Sequence, residues 1–165
     1  MEVRRAEGGM RSWLAANGEY FCAYSGELGG LWRRKGIPPQ SVAGVGFTAQ
    51  GFDSCTDYRV EPDSENPRAR FIFAGVSERV GDRFGQGGHR GGAAGLEIDR
   101  ADTSLGTPKH ALRVACADRF SHSYKRVGEE AGHAHSANTG LMDPLIRADA
   151  VFYEVAGGGA VFSTG

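Results

Sequence analysis

The chain of 165 residues carries 19 Lys and Arg against 20 Asp and Glu, a formal net charge of -1. This length fits one domain that can bury a hydrophobic core without disulfides or a structural metal. The balanced charge argues against a nucleic-acid binder, which usually carries a basic stripe. No apolar run approaches a membrane span, and the N-terminus lacks the apolar core of a secretory signal.

Glycine is the outlier in the composition, with 26 residues among 165, more than twice the typical share of roughly 7%. No Gly-X-Y period is present, which excludes a collagen-like chain. The glycines concentrate at 26–51, at 81–95 and in the turn at 157–159. Such stretches either move or let the backbone approach other groups closely.

The three cysteines, Cys22, Cys55 and Cys116, are far apart in sequence and form no Cys-x-x-Cys pair. A zinc site built from thiolates is therefore not expected. We expect reduced thiols in a cytoplasmic protein.

In the first part of the chain, β-forming residues predict short strands at 2–5 and 10–14. A short helix is predicted at 27–35, because a basic cluster precedes a Gly-Ile-Pro-Pro stop. Residues 42–53 indicate a loop that passes close under other backbone. Residues 53–67 are rich in turn formers and predict a surface loop.

The remaining elements favour strands over helices. Apolar runs predict a buried strand at 70–76, followed after the glycine loop by strands at 96–99 and 110–116. Residues 121–131 have helical spacing with a serine as N-cap. The best hairpin signal joins the runs 148–155 and 160–163 across a glycine turn. The predicted fold class is a mixed, loop-rich α/β domain.

Two groups of residues are weak candidates for a binding site: the glycine-rich loop for phosphate and the histidines for a metal. The glycine loop lacks the Walker spacing and is followed by a strand, which disfavours a phosphate-binding loop. His122, His133 and His135 could bind a metal, because imidazole suits zinc or iron. A pair of solvated histidines in a flexible loop is the alternative interpretation of His133 and His135.

The carboxylates Glu97 and Asp99 alternate with Leu96 and Ile98. In a strand the two acids would share one face and the two apolar side chains the other. The acidic face is either the edge of a pocket or a solvated surface whose acids form weak salt bridges.

Several stretches together resemble the large (catalytic) subunit of N,N-dimethylformamidase, in its C-terminal region. They follow one another in consistent order over nearly the whole chain: 25–33 (Ser-Gly-Glu-Leu-Gly-Gly-Leu-Trp-Arg), 38–40, 45–52, 91–100 (Gly-Gly-Ala-Ala-Gly-Leu-Glu-Ile-Asp-Arg), 105–111, 144–149 and 158–163. The resemblance covers residues 1–165 as a single domain, the C-terminal portion of the catalytic region.

The resemblance implies an amidohydrolase that cleaves the C–N bond of small N-substituted formamides, releasing formate and an amine. It also implies a mononuclear iron held by tyrosines and a glutamate, and a small helical partner subunit. The catalytic region would belong to a three-layer, glutamine-amidotransferase-like α/β domain. Ferric iron can polarise an amide carbonyl and lower the pKa of bound water.

The chain departs from the family pattern in two ways. The family's His-Pro-Glu-Tyr segment and its iron ligands lie upstream of the point that matches Met1. Around residue 120 the family shows Gly-His-Ser-Asp, where this chain has Arg-Phe-Ser-His. We therefore expect the iron ligands outside this chain and carry over one residue, Glu97, as an acid or base facing the iron pocket. A strand-face salt bridge remains the alternative for Glu97.

These observations leave two hypotheses about function. In the first, the chain contributes a pocket wall and support to a site completed by the rest of the large subunit. In the second, it is a non-catalytic, β-rich binding or assembly domain that keeps the scaffold without the metal site. Small amides are the expected substrates, with neither nucleic acid nor membrane as partner. Separated from the rest of the subunit, the apolar runs 151–153 and 160–162 would be exposed.

Overall fold

The computed structural model describes residues 2–3, 30–31, 33, 36–75, 82–127 and 137–165. Strands dominate this part of the chain, and the fold is mostly β-sheet with few helices. In chain order the elements are β1 (Glu2–Val3), β2 (Gly30–Leu31), α1 (Gln40–Ala43), β3 (Gly46–Gln50), β4 (Tyr58–Val60), β5 (Arg83–Phe84), β6 (Glu97–Arg100), β7 (Leu112–Ala117), β8 (Lys125–Arg126), β9 (Ala148–Val155) and β10 (Gly159–Thr164). Short 3₁₀ helices cover Pro62–Glu65, Arg70–Phe73, His89–Gly91 and Thr103–Leu105.

The described strands form three antiparallel groups. A five-stranded sheet has the order β10-β9-β7-β4-β5, a three-stranded sheet has the order β6-β3-β8, and β1 pairs with β2. The predicted strands at 96–99 and 110–116 and the predicted C-terminal hairpin are confirmed, with small shifts of their ends. Gly157 and Gly158 make the hairpin turn with φ of 97° and 90°, the left-handed region that favours glycine.

The two larger sheets share one hydrophobic core. Ala49 and Ile98 of the three-stranded sheet belong to the same buried cluster as Val114 and Phe152 of the five-stranded sheet. The Asp149 carboxylate on β9 accepts a hydrogen bond of 2.9 Å from the backbone N–H of Ala101, just after β6. Core packing and this polar contact together fix the position of β6 against the larger sheet.

The glycine-rich loop between β5 and β6 packs through its backbone. Thr56 and Ala94 exchange two backbone hydrogen bonds of 2.8 Å. A Cβ atom at Gly92 would lie 2.1 Å from the carbonyl oxygen of Thr56. Only glycine fits at position 92, because the clash would be with backbone that cannot move aside. The expectation of close backbone approach is therefore confirmed at this position.

Two predictions for the region 53–76 are wrong where the structure describes it. The predicted surface loop contains β4 and the buried Asp57, and the predicted strand at 70–76 is instead the 3₁₀ helix Arg70–Phe73. A short apolar run does not by itself distinguish strand from helix. The preceding turn favours the helical conformation. In this turn the carbonyl of Asn66 accepts hydrogen bonds from the backbone N–H groups of Ala69 and Arg70.

Three further predictions need correction. Gly30–Leu31 lies in a strand, not in a helix at 27–35, and its partner is Glu2–Val3. Residues 46–50 form β3 within the predicted loop 42–53. In place of the first part of a helix at 121–131 there is a turn followed by β8, because the serine hydroxyls bond locally and compete with helical hydrogen bonds. Residues 4–29 and 128–136, with the predicted strand at 10–14, lie outside the described residues.

A buried carboxylate connects three segments around β4. Asp57 accepts hydrogen bonds from the guanidinium of Arg83 (2.8 and 3.1 Å), from Arg119 (2.5 Å) and from the amide of Gln86 (3.1 Å). The two arginines, Arg83 first, hold the pKa of Asp57 well below its usual range, although burial opposes them. The network joins β4, the start of the glycine-rich loop and the segment that follows β7.

We predict that Asp57→Asn lowers the free energy of unfolding at pH 7 by about 2 kcal/mol, because both arginines lose an ionised acceptor. The pKa of Asp57 is depressed by folding, so its contribution is present above about pH 4 and is lost as the pH falls further. The acid-induced loss of stability should therefore be shallower in the variant. Urea unfolding between pH 7 and pH 3 measures both effects. The matched control is Asp82→Asn, an exposed aspartate beside the same loop, and equal effects of the two substitutions would contradict the prediction.

Candidate functional site

The two carboxylates that the sequence predicted to share a strand face lie on β6 of the three-stranded sheet. Gln50 of the central strand pairs with Glu97 of β6 on one side and with Lys125 of β8 on the other. A bulge between Phe47 and Ala49 brings Phe47 opposite Asp99. Paired residues share a face, so Phe47, Gln50, Glu97, Asp99 and Lys125 form one surface, called the acid face below.

The alternation predicted for β6 is confirmed by burial. Glu97 is exposed and Asp99 is half-buried, whereas Ile98 and Arg100 between and beyond them are buried. Burial raises the pKa of Asp99, the neighbouring Glu97 charge raises it further, and Arg33 opposes the rise. The acid face therefore presents two carboxylates of different character, one solvated and one that resists ionisation.

A buried tyrosine holds the backbone of the residue that precedes Glu97. The Tyr124 hydroxyl accepts a hydrogen bond of 3.0 Å from the Leu96 N–H and donates one of 2.7 Å to the carbonyl of Ser54. Leu96 has a φ of 64°, in the left-handed region that leucine rarely adopts. Gly51, whose N–H binds the Leu96 carbonyl at 2.9 Å, completes the support. The residue before Glu97 is thus fixed in a strained conformation by its neighbours.

The turn that precedes β8 is joined to the segment after β3 by hydroxyl groups. Ser123 donates a hydrogen bond to the carboxylate of Asp53, and hydrogen bonding by Ser121 and Ser123 lowers the pKa of Asp53 to about 2. Phe52 beside it is exposed. His122 lies between the two serines and is exposed, whereas His133 and His135 lie outside the described residues.

Sequence reasoning found Glu97 and Asp99 but missed Gln50 and Lys125. Alternation along one strand reveals which residues share its face, but the cross-strand partners depend on long-range register. Lys125 was also assigned to the predicted helix at 121–131, which would have directed it elsewhere. No local signal identifies these two neighbours.

A second polar region lies between two depressions of about 420 and 480 Å³ that share Arg113 and Arg147. Arg147 donates to the fully buried Asp149 (Nε–Oδ2, 3.0 Å) and Arg113 donates to Glu61 (3.1 Å). Burial, with Asp149 nearby, raises the pKa of the Cys116 thiol to about 12, which makes it a poor nucleophile. These ion pairs stabilise the packing beneath the depressions.

The described residues do not fit the iron site that the resemblance implies. Among them, no three His, Cys, Asp or Glu side chains come together as metal ligands. Burial raises the pKa of the described tyrosines Tyr58, Tyr124 and Tyr153, which disfavours the phenolate that would bind iron. Each of their hydroxyls already donates a hydrogen bond to a backbone carbonyl, those of Gly165, Ser54 and Val42 respectively.

The fold and the acid face define a class of loop-rich, antiparallel β proteins, and this class is compatible with several different activities. The comparison with protein families narrows it: residues 1–165 match the family "N,N-dimethylformamidase beta subunit-like, C-terminal". The chain belongs to this family, and the resemblance found in the sequence is confirmed.

Two curated relatives agree with the family match. The chain is 37% identical over 166 aligned residues to the N,N-dimethylformamidase beta subunit of Paracoccus aminophilus, and 36% identical to that of an Alcaligenes species. Each alignment covers 99% of this chain and 21% of the relative. The chain therefore spans about a fifth of the length of the curated relatives that it matches. Within the described residues, no helix has the length and apolar character needed to cross a membrane.

We predict that Glu97→Gln lowers the pKa of Asp99 toward its ordinary value, because the substitution removes a negative charge from the same strand face. The ¹³C chemical shift of the Asp99 carboxyl, followed over a pH titration, measures the change. Glu65→Gln, in an exposed glutamate on the 3₁₀ helix Pro62–Glu65, is the control and should leave Asp99 unaffected. An unchanged Asp99 titration in the Glu97 variant would show that the two carboxylates do not interact.

Proposed function

We propose that this chain forms part of the large subunit of an amidohydrolase that cleaves the C–N bond of N-substituted formamides, with N,N-dimethylformamide giving dimethylamine and formate. The family match over residues 1–165 carries the proposal. Two relatives named N,N-dimethylformamidase beta subunit, aligned over 99% of the chain, support it. The exposed carboxylate of Glu97 on the acid face is compatible with the proposal.

In this proposal Glu97 transfers protons at the rim of the substrate pocket. Hydrolysis adds the oxygen of water to the formyl carbon and breaks the C–N bond, and the departing nitrogen takes up a proton. The Glu97 carboxylate accepts a proton from the attacking water and delivers it to that nitrogen. Its exposure on the sheet face supports access to substrate, and the Tyr124–Leu96 contact supports a fixed orientation.

The rest of the site belongs to other parts of the enzyme in this proposal. Iron, which polarises the amide carbonyl when bound, is held by ligands outside this chain, in the remainder of the large subunit. A glutamine-amidotransferase-like three-layer architecture for the whole catalytic region, and a small helical partner subunit, are parts of the same proposal. The relatives' much greater length supports the assignment of these parts to chain beyond the aligned fifth. Free thiols at Cys55 and Cys116 support a cytoplasmic location.

The second candidate is a non-catalytic binding or assembly domain that keeps the β-rich scaffold. One observation favours it: the three described tyrosines donate hydrogen bonds to backbone carbonyls, and no three potential metal ligands converge among the described residues. The two candidates differ in whether a side chain of this region affects the rate of hydrolysis.

We predict that Glu97→Gln in the assembled enzyme lowers kcat for N,N-dimethylformamide by on the order of 10²–10⁴-fold, the usual contribution of a general acid or base. The amide keeps the shape of the side chain but cannot transfer the proton. Steady-state production of dimethylamine measures the rate, and Glu65→Gln provides the matched control. An unchanged kcat in the Glu97 variant would favour the non-catalytic candidate.

We also predict that the 165-residue chain alone binds no stoichiometric iron, whereas the complete large subunit does. Elemental analysis of both purified proteins, combined with an assay of formamide hydrolysis, provides the measurement. Stoichiometric iron together with hydrolysis by the chain alone would overturn the idea that the site is completed elsewhere.

A further inference from the structure

Strand β10 lies at the outer edge of the five-stranded sheet. It pairs with β9 in an uninterrupted register from Gly159 opposite Val155 to Thr164 opposite Ala150. No strand among the described residues pairs with its other edge. An antiparallel strand directs every second set of N–H and C=O groups away from its partner, so this edge presents a row of hydrogen-bonding groups.

Charged residues, prolines and bulges, which usually prevent edge strands from pairing, are missing from β10. Its sequence, Gly-Ala-Val-Phe-Ser-Thr, contains neither a charged residue nor a proline. No bulge interrupts its register with β9. Natural edge strands are normally very short, charged, bulged or covered. An uncharged edge of six residues is therefore expected to be covered in the assembled protein.

Apolar side chains flank this edge on both faces of the sheet. Phe162, 52% exposed, pairs with the buried Phe152, and Phe71, 62% exposed, packs edge-on against the same ring at 5.4 Å. On the opposite face the half-buried Val161 of β10 pairs with the buried Tyr153. A segment lying along β10 would meet apolar groups on either side.

We propose that the outer edge of β10 is a docking surface to which another segment of the same large subunit adds a β-strand. The inference rests on the proposed function, in which this chain is part of a longer subunit. Strand addition combines main-chain hydrogen bonds with pockets for alternate side chains. The incoming strand carries apolar side chains at alternating positions, on the side of Phe162 on one face and of Val161 on the other.

We choose a segment of the same subunit as the occupant because of the length of the relatives and because such a segment is covalently connected to β10. The chain corresponds to 21% of the length of the curated relatives, so most of such a subunit lies outside it. A segment of the same polypeptide is held at high effective concentration and needs little intrinsic affinity to dock. A second copy of the chain and the small subunit are the competing occupants.

Hydrogen exchange in the complete large subunit, followed by mass spectrometry, tests the proposal. We expect slow exchange for all amides of residues 159–164, including those directed away from β9. The turn at Gly157 and Gly158 is exposed and supplies the fast reference within the same protein. Exchange of half of the β10 amides at the rate of this turn would overturn the proposal.

A pair of variants identifies the contact. Phe162→Lys in the complete large subunit should accelerate exchange in 159–164 at least tenfold while β7 stays protected, because the lysine places a charge on the covered surface. Leu141→Lys, an equally drastic change at an exposed leucine away from β10, should leave that exchange unchanged. Equal exchange rates of residues 159–164 in the two variants would overturn the proposal. If Phe162→Lys does not fold, the exchange pattern of the unsubstituted subunit still tests it.

Two further outcomes exclude the chosen occupant. Protection of β10 that depends on concentration and accompanies a doubled mass in sedimentation would assign the edge to a second copy. Protection that appears only after the small subunit is added would assign it to that subunit. Because exchange is measured without substrate, failure of this inference leaves the amidohydrolase assignment intact, and absence of hydrolysis leaves the exchange result intact.

Discussion

The ring of Tyr124 is the element on which the arrangement of the three-stranded sheet depends. It occupies space that a side chain at Gly51 would otherwise fill, since a Cβ atom there would lie 2.5 Å from Cδ2 of the ring. At Gly95 a Cβ atom would lie 2.5 Å from the Cys55 sulfur and 2.8 Å from the Tyr124 hydroxyl. Its hydroxyl connects Ser54, after the central strand, to Leu96, before β6. A single buried side chain thus determines where one strand ends and the next begins. The glycine at position 51 follows from that packing.

The elements that sequence analysis predicted correctly are those whose pattern is local. β6 alternates polar and apolar residues, and the hairpin of β9 and β10 combines two β-rich runs with a glycine turn whose conformation only glycine adopts easily. The prediction of a strand at 70–76 was wrong because its apolar run also suits a helical turn, and the backbone of Asn66 determined the outcome. At 121–131, Tyr124 has helical spacing in the sequence but is fixed by a partner that is 70 residues away.

In the candidate site, too, some features could be predicted from local sequence patterns and others could not. The common face of Glu97 and Asp99 follows from the two-residue period of a strand, so it could be predicted from adjacent residues. The approach of Gln50 and Lys125 depends on two separate strand pairings, which no short-range pattern encodes. The difference in exposure between Glu97 and Asp99 could not be predicted locally either. The raised pKa of Asp99 comes mainly from burial, which depends on residues distant in sequence. Glu97 as a proton-transferring group stays a prediction that rests on the family resemblance.

The turn between β9 and β10 has a consequence for how the chain tolerates change in length. At Gly157 and Gly158 an added Cβ would meet no atom within 4 Å, so extra residues there would project into open space. Their main cost would be loop-closure entropy, which grows by only about 0.6 kcal/mol for each doubling of loop length. The strands on either side keep their register because six residue pairs fix it. Insertions and deletions within the family are therefore expected to accumulate at this turn, and a fused reporter peptide would be accommodated there.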